Sequence, residues 1–237
     1  MGLADIDLSP RISEREYEEK LRRLQLELLD YQYRIIEEKV PVILVFEGWD
    51  ASGKGGAIRR LTEQSDPRTY RVHPIGAPTP EEMRYHYLRR FWARLPRRGQ
   101  IGIFDRSWYG RVLVERVEKL CSKKEWQRAY EEINGFEQVL VDDGTLLIKF
   151  FLHISKEEQL QRFKDREKSP WKRWKITDED WRNREKWDRY EEAIEEMLAK
   201  THTKHAPWQV IAGEQKKYAR IQVLQIVLEH YQKVFGK

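Results

Sequence analysis

Apolar residues fall in two rhythms along this chain. Val42-Ile43-Leu44-Val45-Phe46 is an unbroken apolar run ending in Glu47-Gly48, the pattern of a parallel strand buried on both faces. Ile101-Gly102-Ile103-Phe104, closed by Asp105, and the run from Leu146 to His153 have the same character. Shorter strands are expected at Tyr70 to Pro74 and Gln209 to Ala212. Between them the spacing turns helical. Leu21, Leu24, Leu28 and Ile35 recur at helical intervals within about 13–39, and Ser13 with Glu16 has capping-box spacing. Further helices are expected from the glycine-rich turn to about Gln64, from Pro80 to about Leu95, and over 109–120, 123–143, 156–167, 178–200 and 215–235. Residues 1–12 lack periodicity and should form an arm. Strands alternating with helices predict an α/β fold, a parallel sheet flanked by helices. With no internal repeat or low-complexity tract, the whole of 1–237 should be one domain.

One stretch departs from that rhythm. About 165–190 is basic and tryptophan-rich, with almost no aliphatic content. Arg162, Lys164, Arg166, Lys168, Lys172, Arg173 and Lys175 crowd together, interleaved with Trp171 and Trp174. Lys168 to Ile176 contains no acidic residue. A solvated helix face would mix in glutamates, so like charges packed this densely point to a polyanion lying against them. The other reading is an exposed loop whose tryptophans anchor it to the sheet. The stretch is expected to be an insertion over the sheet's edge, a basic helical lid. Downstream, Trp181, Trp187 and Tyr190 are expected to pack the lid helix, and Trp208 the core.

The chemistry concentrates at two strand ends. Gly48-Trp49-Asp50-Ala51-Ser52-Gly53-Lys54 fits G-x-x-x-x-G-K between an apolar strand and a helix, the context a phosphate-binding loop requires. Its glycines let successive N–H groups, from Gly48 through Ala51, Ser52 and Gly53 to Gly55, point at phosphate oxygens. Lys54 adds a mobile cation and the helix N-terminus a partial positive charge. Gly55 stands where most such loops carry the hydroxyl that ligates Mg²⁺. Asp50 could replace that hydroxyl at the metal, or could hydrogen-bond amides of the turn. Asp105 closes a parallel strand, where α/β sheets build their sites. It could hold metal with Asp50 or cap the next helix. Arg106 and Arg111 follow it, each able to grip a phosphoryl group in bidentate fashion.

Composition changes this picture only slightly. Charged residues are 36% of the chain but nearly cancel, leaving a net charge of +5. That favours an anionic partner without choosing among phosphate ester, nucleic acid and lipid. A nucleic-acid groove is the rival reading of the basic stretch, but a carboxylate pair at the phosphate loop would repel such a backbone. Cys121 is the single cysteine, so an intrachain disulfide and a cysteine metal cluster are ruled out. No apolar run approaches the roughly 18 residues of a membrane span, and no signal-peptide pattern opens the sequence. A cytoplasmic protein with no membrane partner is expected. His86, His202 and His205 lack partners at metal spacing and receive no role.

Together these motifs resemble the polyphosphate kinase 2 family. The matching residues are Gly48-Trp49-Asp50-Ala51-Ser52-Gly53-Lys54-Gly55-Gly56, then Phe104-Asp105-Arg106-Ser107-Trp108-Tyr109, then Arg166 with Pro170-Trp171-Lys172-Arg173-Trp174-Lys175. Ala206-Pro207-Trp208 also looks like the family's, and the likeness runs through about 15–235. The resemblance implies a P-loop kinase fold related to thymidylate kinases, with a lid. It implies Mg²⁺ dependence, with Mn²⁺ as a substitute, and inorganic polyphosphate in place of ATP as phosphoryl donor. Asp50 and Asp105 would then matter most, with Lys54, Arg106, Arg111 and Arg166 on phosphates and Lys168, Lys172 and Lys175 along the polyanion. The stretch from Asp105 to Glu115 looks most like the polyphosphate:AMP phosphotransferase group, which often carries two such domains per chain. Transfer to AMP, giving ADP, is therefore favoured. The alternatives are a nucleoside diphosphate acceptor and an ATP-dependent nucleoside monophosphate kinase. A homo-oligomer is expected, with the 13–39 helix as a plausible contact.

Overall fold

Both faces of strand β1 (Val42–Gly48) are apolar, and that makes it the centre of the sheet. In the computed structural model, which describes residues 2–236, five parallel strands run in the order β2-β3-β1-β4-β5. Met1 and Lys237, the ends of the expected domain, lie outside the described residues. The other strands are β2 (Tyr70–Pro74), β3 (Ile101–Asp105), β4 (Leu146–His153) and β5 (Trp208–Ala212). Successive side chains of β1 alternate between two cores, as the pleat requires. Ile43 and Val45 join one core, with α3 (Arg89–Trp92), α4 (Val114–Val117), α5 (Lys123–Asp142) and α8 (Trp187–Thr201) packed over it. Val42, Leu44 and Phe46 join the other, covered by α1 (Glu14–Glu37), α2 (Lys54–Thr62) and α9 (Lys216–Phe235). β1 lies between β3 and β4, with Phe46 opposite Asp105, so the two chemically loaded strand ends are neighbours.

Ser13 caps α1, its side chain accepting from the Glu16 amide. Three expected helices are broken, each by a tertiary contact. Over 80–95 there is a 3-10 turn (Glu82–Arg84), then extended Tyr85, then α3. Glu82 accepts from the Thr79 amide and from Arg94, which fixes the turn, while Leu88 and Phe91 swing into the core. Over 109–120, consecutive Trp108 and Tyr109 are both fully buried. Their polar tips converge on one carboxylate, Glu137 Oε1, and a 3-10 turn (Trp108–Arg111) precedes α4. The stretch 178–200 divides at Lys186 into α7 (Asp178–Glu185) and α8. The arm is pinned rather than loose: the Leu3 amide donates to Glu195 Oε1 (2.6 Å) and the Ile12 amide to Gln215 Oε1 (2.7 Å).

The lid also differs from expectation. It rises from α6 (Lys156–Lys168) and returns through α7. It lies over the carboxyl end of central β1, not over an edge strand, because Asn183 of α7 bonds Asp50. Trp171 and Trp174 are 86% and 71% exposed, so they do not anchor it to the sheet. Trp181, by contrast, packs edge-on against Phe163.

A buried polar network braces the turn after β3. Lys149, in the middle of β4, donates to Glu137 Oε2 (2.7 Å), Tyr109 Oη (2.8 Å) and the Thr201 carbonyl (2.9 Å), which satisfies its three protons. Glu137 Oε1 accepts from Trp108 Nε1 (3.0 Å) and Tyr109 Oη (2.7 Å). Both charged side chains are wholly inaccessible. Lys149→Met strands the Glu137 charge and should lower stability by about 3–5 kcal/mol in urea unfolding. Adding Glu137→Gln, which keeps an acceptor but removes the stranded charge, should recover part of that loss.

Candidate active site

The loop after β1 is built by a close approach. Gly48 has φ +142°, and a Cβ there would lie 2.5 Å from the Leu152 carbonyl oxygen of β4, so only glycine fits. Ala51 adopts φ +61° without being glycine, and Gly53 (φ +111°) caps α2. The turn is held from outside by α6. Arg162, 2% exposed, donates through Nη1 to the carbonyls of Ala51 (2.9 Å) and Ser52 (2.8 Å). Its Nη2 reaches the Gly213 and Glu214 carbonyls, and its Nε pairs with Glu158 (2.6 Å). Arg162 is thus consumed as a brace and is not among the lid's free cations. With carbonyls drawn outward, the first amides of α2, at Lys54 and Gly55, are left for the mouth of the site, while the Gly56 amide donates to the Gly53 carbonyl (2.9 Å).

Lys54 folds back on its own loop, donating to the carbonyls of Gly48 (2.7 Å) and Trp49 (3.1 Å). Burial pulls its ammonium below the usual lysine range, against the opposing pull of Asp50, Asp105 and Glu47. Three carboxylates therefore surround one lysine. Asp50 takes side-chain partners: Oδ1 accepts from Arg106 Nη2 (3.1 Å) and Oδ2 from Asn183 Nδ2 (3.0 Å). Asp105 ends β3 without capping the next turn, because Ser107 caps it, accepting from the Tyr109 amide. Arg106 has φ +64°, which turns its half-exposed guanidinium toward Asp50.

The remaining expected residues divide. Arg166 approaches the site: burial lowers its guanidinium while Asp180 and Asp50 pull the other way. Lys168, Lys172 and Lys175 are exposed on the lid, Lys175 lying over the Trp174 ring. Arg111 stands in a separate group, paired with Glu115 (2.9 Å) and stacked on Tyr87.

Sequence reasoning missed several residues here. Glu47 is 4% exposed, accepts from Ser107 Oγ (2.8 Å), and has its carboxyl raised by burial. Its one signal was a carboxylate closing a buried strand. Lys216 and Arg220, one helical turn apart on α9, bring further cations to α2. Lys216 feels the charges of Arg162 and Lys172, and Arg220 lies against Gly56. Beside the loop, a cavity between the 106–114 turn and the lid is lined by Trp49, Asp50, Arg106, Leu113, Trp187 and Tyr190, among others. Trp49 and Trp187 stack across it, centroids 3.6 Å apart and planes within 3°.

The sequence profile of polyphosphate kinase 2 matches residues 11–235. The chain belongs to the polyphosphate kinase 2 family. It is 47% identical over its full length to a polyphosphate:AMP phosphotransferase of Pseudomonas aeruginosa, covering 48% of that protein. A second polyphosphate:AMP phosphotransferase, from Acinetobacter johnsonii, is 50% identical over 93% of this chain and 46% of its own. This chain spans about half the length of these curated relatives. The solved polyphosphate kinase 2 of Arthrobacter aurescens superposes with a TM-score of 0.94 at 32% identity, over 99% of this chain and 86% of that one. The fold is the P-loop kinase fold of this family.

In this polyphosphate kinase 2 family member Glu47 is buried with Ser107, not a cation, as its side-chain hydrogen-bond partner, and this has a pH signature. Its folded-state carboxyl holds a proton at pH values where the unfolded chain has lost it. Stability from this group is therefore lost as pH rises above the ordinary 4.5. Glu47→Gln keeps an acceptor for Ser107. In urea titrations of the ligand-free protein, the variant should gain on the parent as pH rises from about 4.5 toward neutrality. A gap that does not change with pH would show that Glu47 ionises without cost.

Proposed function

We propose that this protein transfers the terminal phosphoryl group of inorganic polyphosphate to a nucleotide, with AMP as favoured acceptor and ADP as product. One observation carries this reading: an outward-braced phosphate loop, with Asp50, Asp105 and Arg106 gathered at Lys54, lies beneath a lid whose tip, 168–176, exposes Lys168, Lys172, Arg173 and Lys175 and carries no carboxylate. Polyphosphate presents no base, so only cations and amides can hold it. The names of the 47–50% identical relatives point to the same chemistry.

An acceptor phosphate oxygen attacks the terminal phosphorus, and the bond from that phosphorus to its bridging oxygen breaks. The nucleotide gains one phosphoryl group and polyphosphate leaves one unit shorter. The acceptor is already an anion, so no general base is required. The amides of the phosphate loop position the donor, and Lys54 exchanges its two carbonyl partners for phosphate oxygens. Arg106 and Arg166 neutralise charge on the loose transition state. A closing lid excludes water and so limits hydrolysis of the donor.

Asp50 and Asp105 suit Mg²⁺, or Mn²⁺ in its place. No cluster of three or more His, Cys, Asp or Glu residues among the described residues could cage a metal alone. Mg²⁺ characteristically takes one or two carboxylates and completes its shell with water and substrate phosphates. When bound, it would supply charge neutralisation between the donor and acceptor oxygens. We include a homo-oligomer in this reading, with Leu26, Tyr33 and Ile36 exposed on α1, and a cytoplasmic setting. No helix among the described residues is long and apolar enough to cross a membrane.

The test is nucleotide chromatography after incubation with Mg²⁺, long-chain polyphosphate and AMP or ADP, without ATP. ADP formed from AMP is the expected result. ATP formed from ADP with AMP untouched would keep polyphosphate and overturn the acceptor. Activity only with ATP would make the protein an ordinary nucleotide kinase. Asp50→Asn and Asp105→Asn should each lower turnover on the order of 10²–10³-fold, with the thermal midpoint unchanged.

A further inference from the structure

We infer that Asn183, on lid helix α7, is a positioning residue for Asp50, aligning its carboxylate for the cation of the phosphotransfer site. This rests on the proposed role of Asp50 at a metal. The two oxygens of Asp50 are held from opposite sides, Oδ1 by Arg106 from the turn after β3 and Oδ2 by Asn183 from the lid. A carboxylate oxygen offers two lone pairs, so each keeps one free for a cation or its water. Asn183 donates without bringing a positive charge, which a lysine or arginine in its place would set against that cation.

The orientation of this amide is determined. An ionised carboxylate only accepts, so Nδ2 must face Asp50 and Oδ1 must face away. There Oδ1 meets the Tyr190 hydroxyl, at 3.2 Å. That hydroxyl also lies 3.4 Å from Glu118 Oε1, and Glu118 is held by Lys186 (2.5 Å) and Arg182 (3.5 Å). A flipped amide would put its oxygen against the carboxylate.

Neighbouring contacts repeat the link. Arg184 donates to Gln159 Oε1 (3.2 Å), and Gln159 Nε2 donates to the Asp50 carbonyl (3.2 Å). Trp187 stacks on Trp49, whose Nε1 donates to His153 Nδ1 (3.0 Å). Residues 183–187 thus grip residues 49–50 directly at Asn183 and Trp187 and, through Gln159, at Arg184, and only the Asn183 contact reaches the carboxylate. Docking of α7 and alignment of Asp50 are one event.

The test compares Mn²⁺ binding, read from the electron paramagnetic resonance of free Mn²⁺, in the parent, Asn183→Ala, Tyr190→Phe and Asp50→Asn. Asp50→Asn should lose most affinity. Asn183→Ala should bind about tenfold more weakly and Tyr190→Phe a few-fold more weakly, the range for partners that orient a metal ligand. Turnover of Asn183→Ala should fall in parallel, with KM for polyphosphate, thermal midpoint and near-ultraviolet circular dichroism of the tryptophan stack unchanged. Parental Mn²⁺ affinity in Asn183→Ala, with Asp50→Asn defective, would overturn the role of Asn183 and leave the metal reading standing. Equal binding by parent and Asp50→Asn would overturn the metal reading and this inference with it. A lowered thermal midpoint with a lost tryptophan signal would make Asn183 merely structural and also overturn it. The predicted Mn²⁺ series in a protein unable to use polyphosphate would support the inference while removing the proposed substrate.

Discussion

A phosphate loop must keep its amides turned inward before any phosphate arrives, and that requires something to hold its carbonyls outward. Here one buried guanidinium does so. Arg162 spends four of its five N–H donors on the carbonyls of Ala51, Ser52, Gly213 and Glu214, and the fifth on Glu158. The geometry suits arginine alone, because a lysine has too few donors and no planar fork. Burying that charge is costly in isolation, but every donor is matched, and an adjacent carboxylate balances it. The same contact keeps Ala51 in a left-handed conformation that ordinarily costs about 1 kcal/mol or more. It also ties the loop after β1 to the loop after β5, across the width of β4.

The second wall of the site is fixed by a different device. In the proposed transfer, Arg106 needs a stationary backbone and a mobile tip, since its guanidinium would follow phosphates as they change charge. Immediately after it, Ser107 is tied to Glu47, and Trp108 and Tyr109 are tied to the Glu137–Lys149 pair. A buried ion pair gives little net stability over apolar residues of the same size. What it supplies here is direction: the polar tips of two adjacent aromatic side chains are drawn to one carboxylate oxygen. The left-handed Arg106 and the 3-10 turn after it carry the chain into that arrangement.

The parallel strands were legible because burial on both faces leaves continuous apolar runs with few readings. Leu146–His153 has the expected bounds, even though β4 hides Lys149 in its interior. The phosphate loop was legible because its backbone demands glycine and its chemistry demands lysine at fixed spacing. The break at Tyr85 accompanies a contact within the expected helix, Arg94 on Glu82. The breaks at Leu113 and Lys186 were not legible, since each answers a side chain distant in sequence: Glu137 under Trp108, Glu118 on Lys186. Arg162 was misread for the same reason. In sequence it is one cation among seven, and its carbonyl partners come from two loops about fifty and a hundred and ten residues away. The carboxylates were found, but not what holds them: Glu47 and Asn183 have no motif, and only the fold brings them to Ser107 and Asp50.

Helix α6 connects these rigid parts to the part that the proposed closure would move. Glu158, Arg162 and Arg166 recur one turn apart on a single face. Along the helix burial declines from Arg162, which is fully engaged, through Arg166, which keeps one backbone contact at the Lys175 carbonyl, to Lys168, exposed on another face at the C-terminal end. The root of the lid is therefore part of the phosphate loop's own support and cannot swing without releasing Ala51 and Ser52. Any closing movement must hinge beyond Arg162, in the segment where cations face solvent and where Trp171 and Trp174 have no core to leave. Cations held at the root preserve the loop, and cations free at the tip can follow a flexible polyanion. One helix separates the two tasks by burial alone.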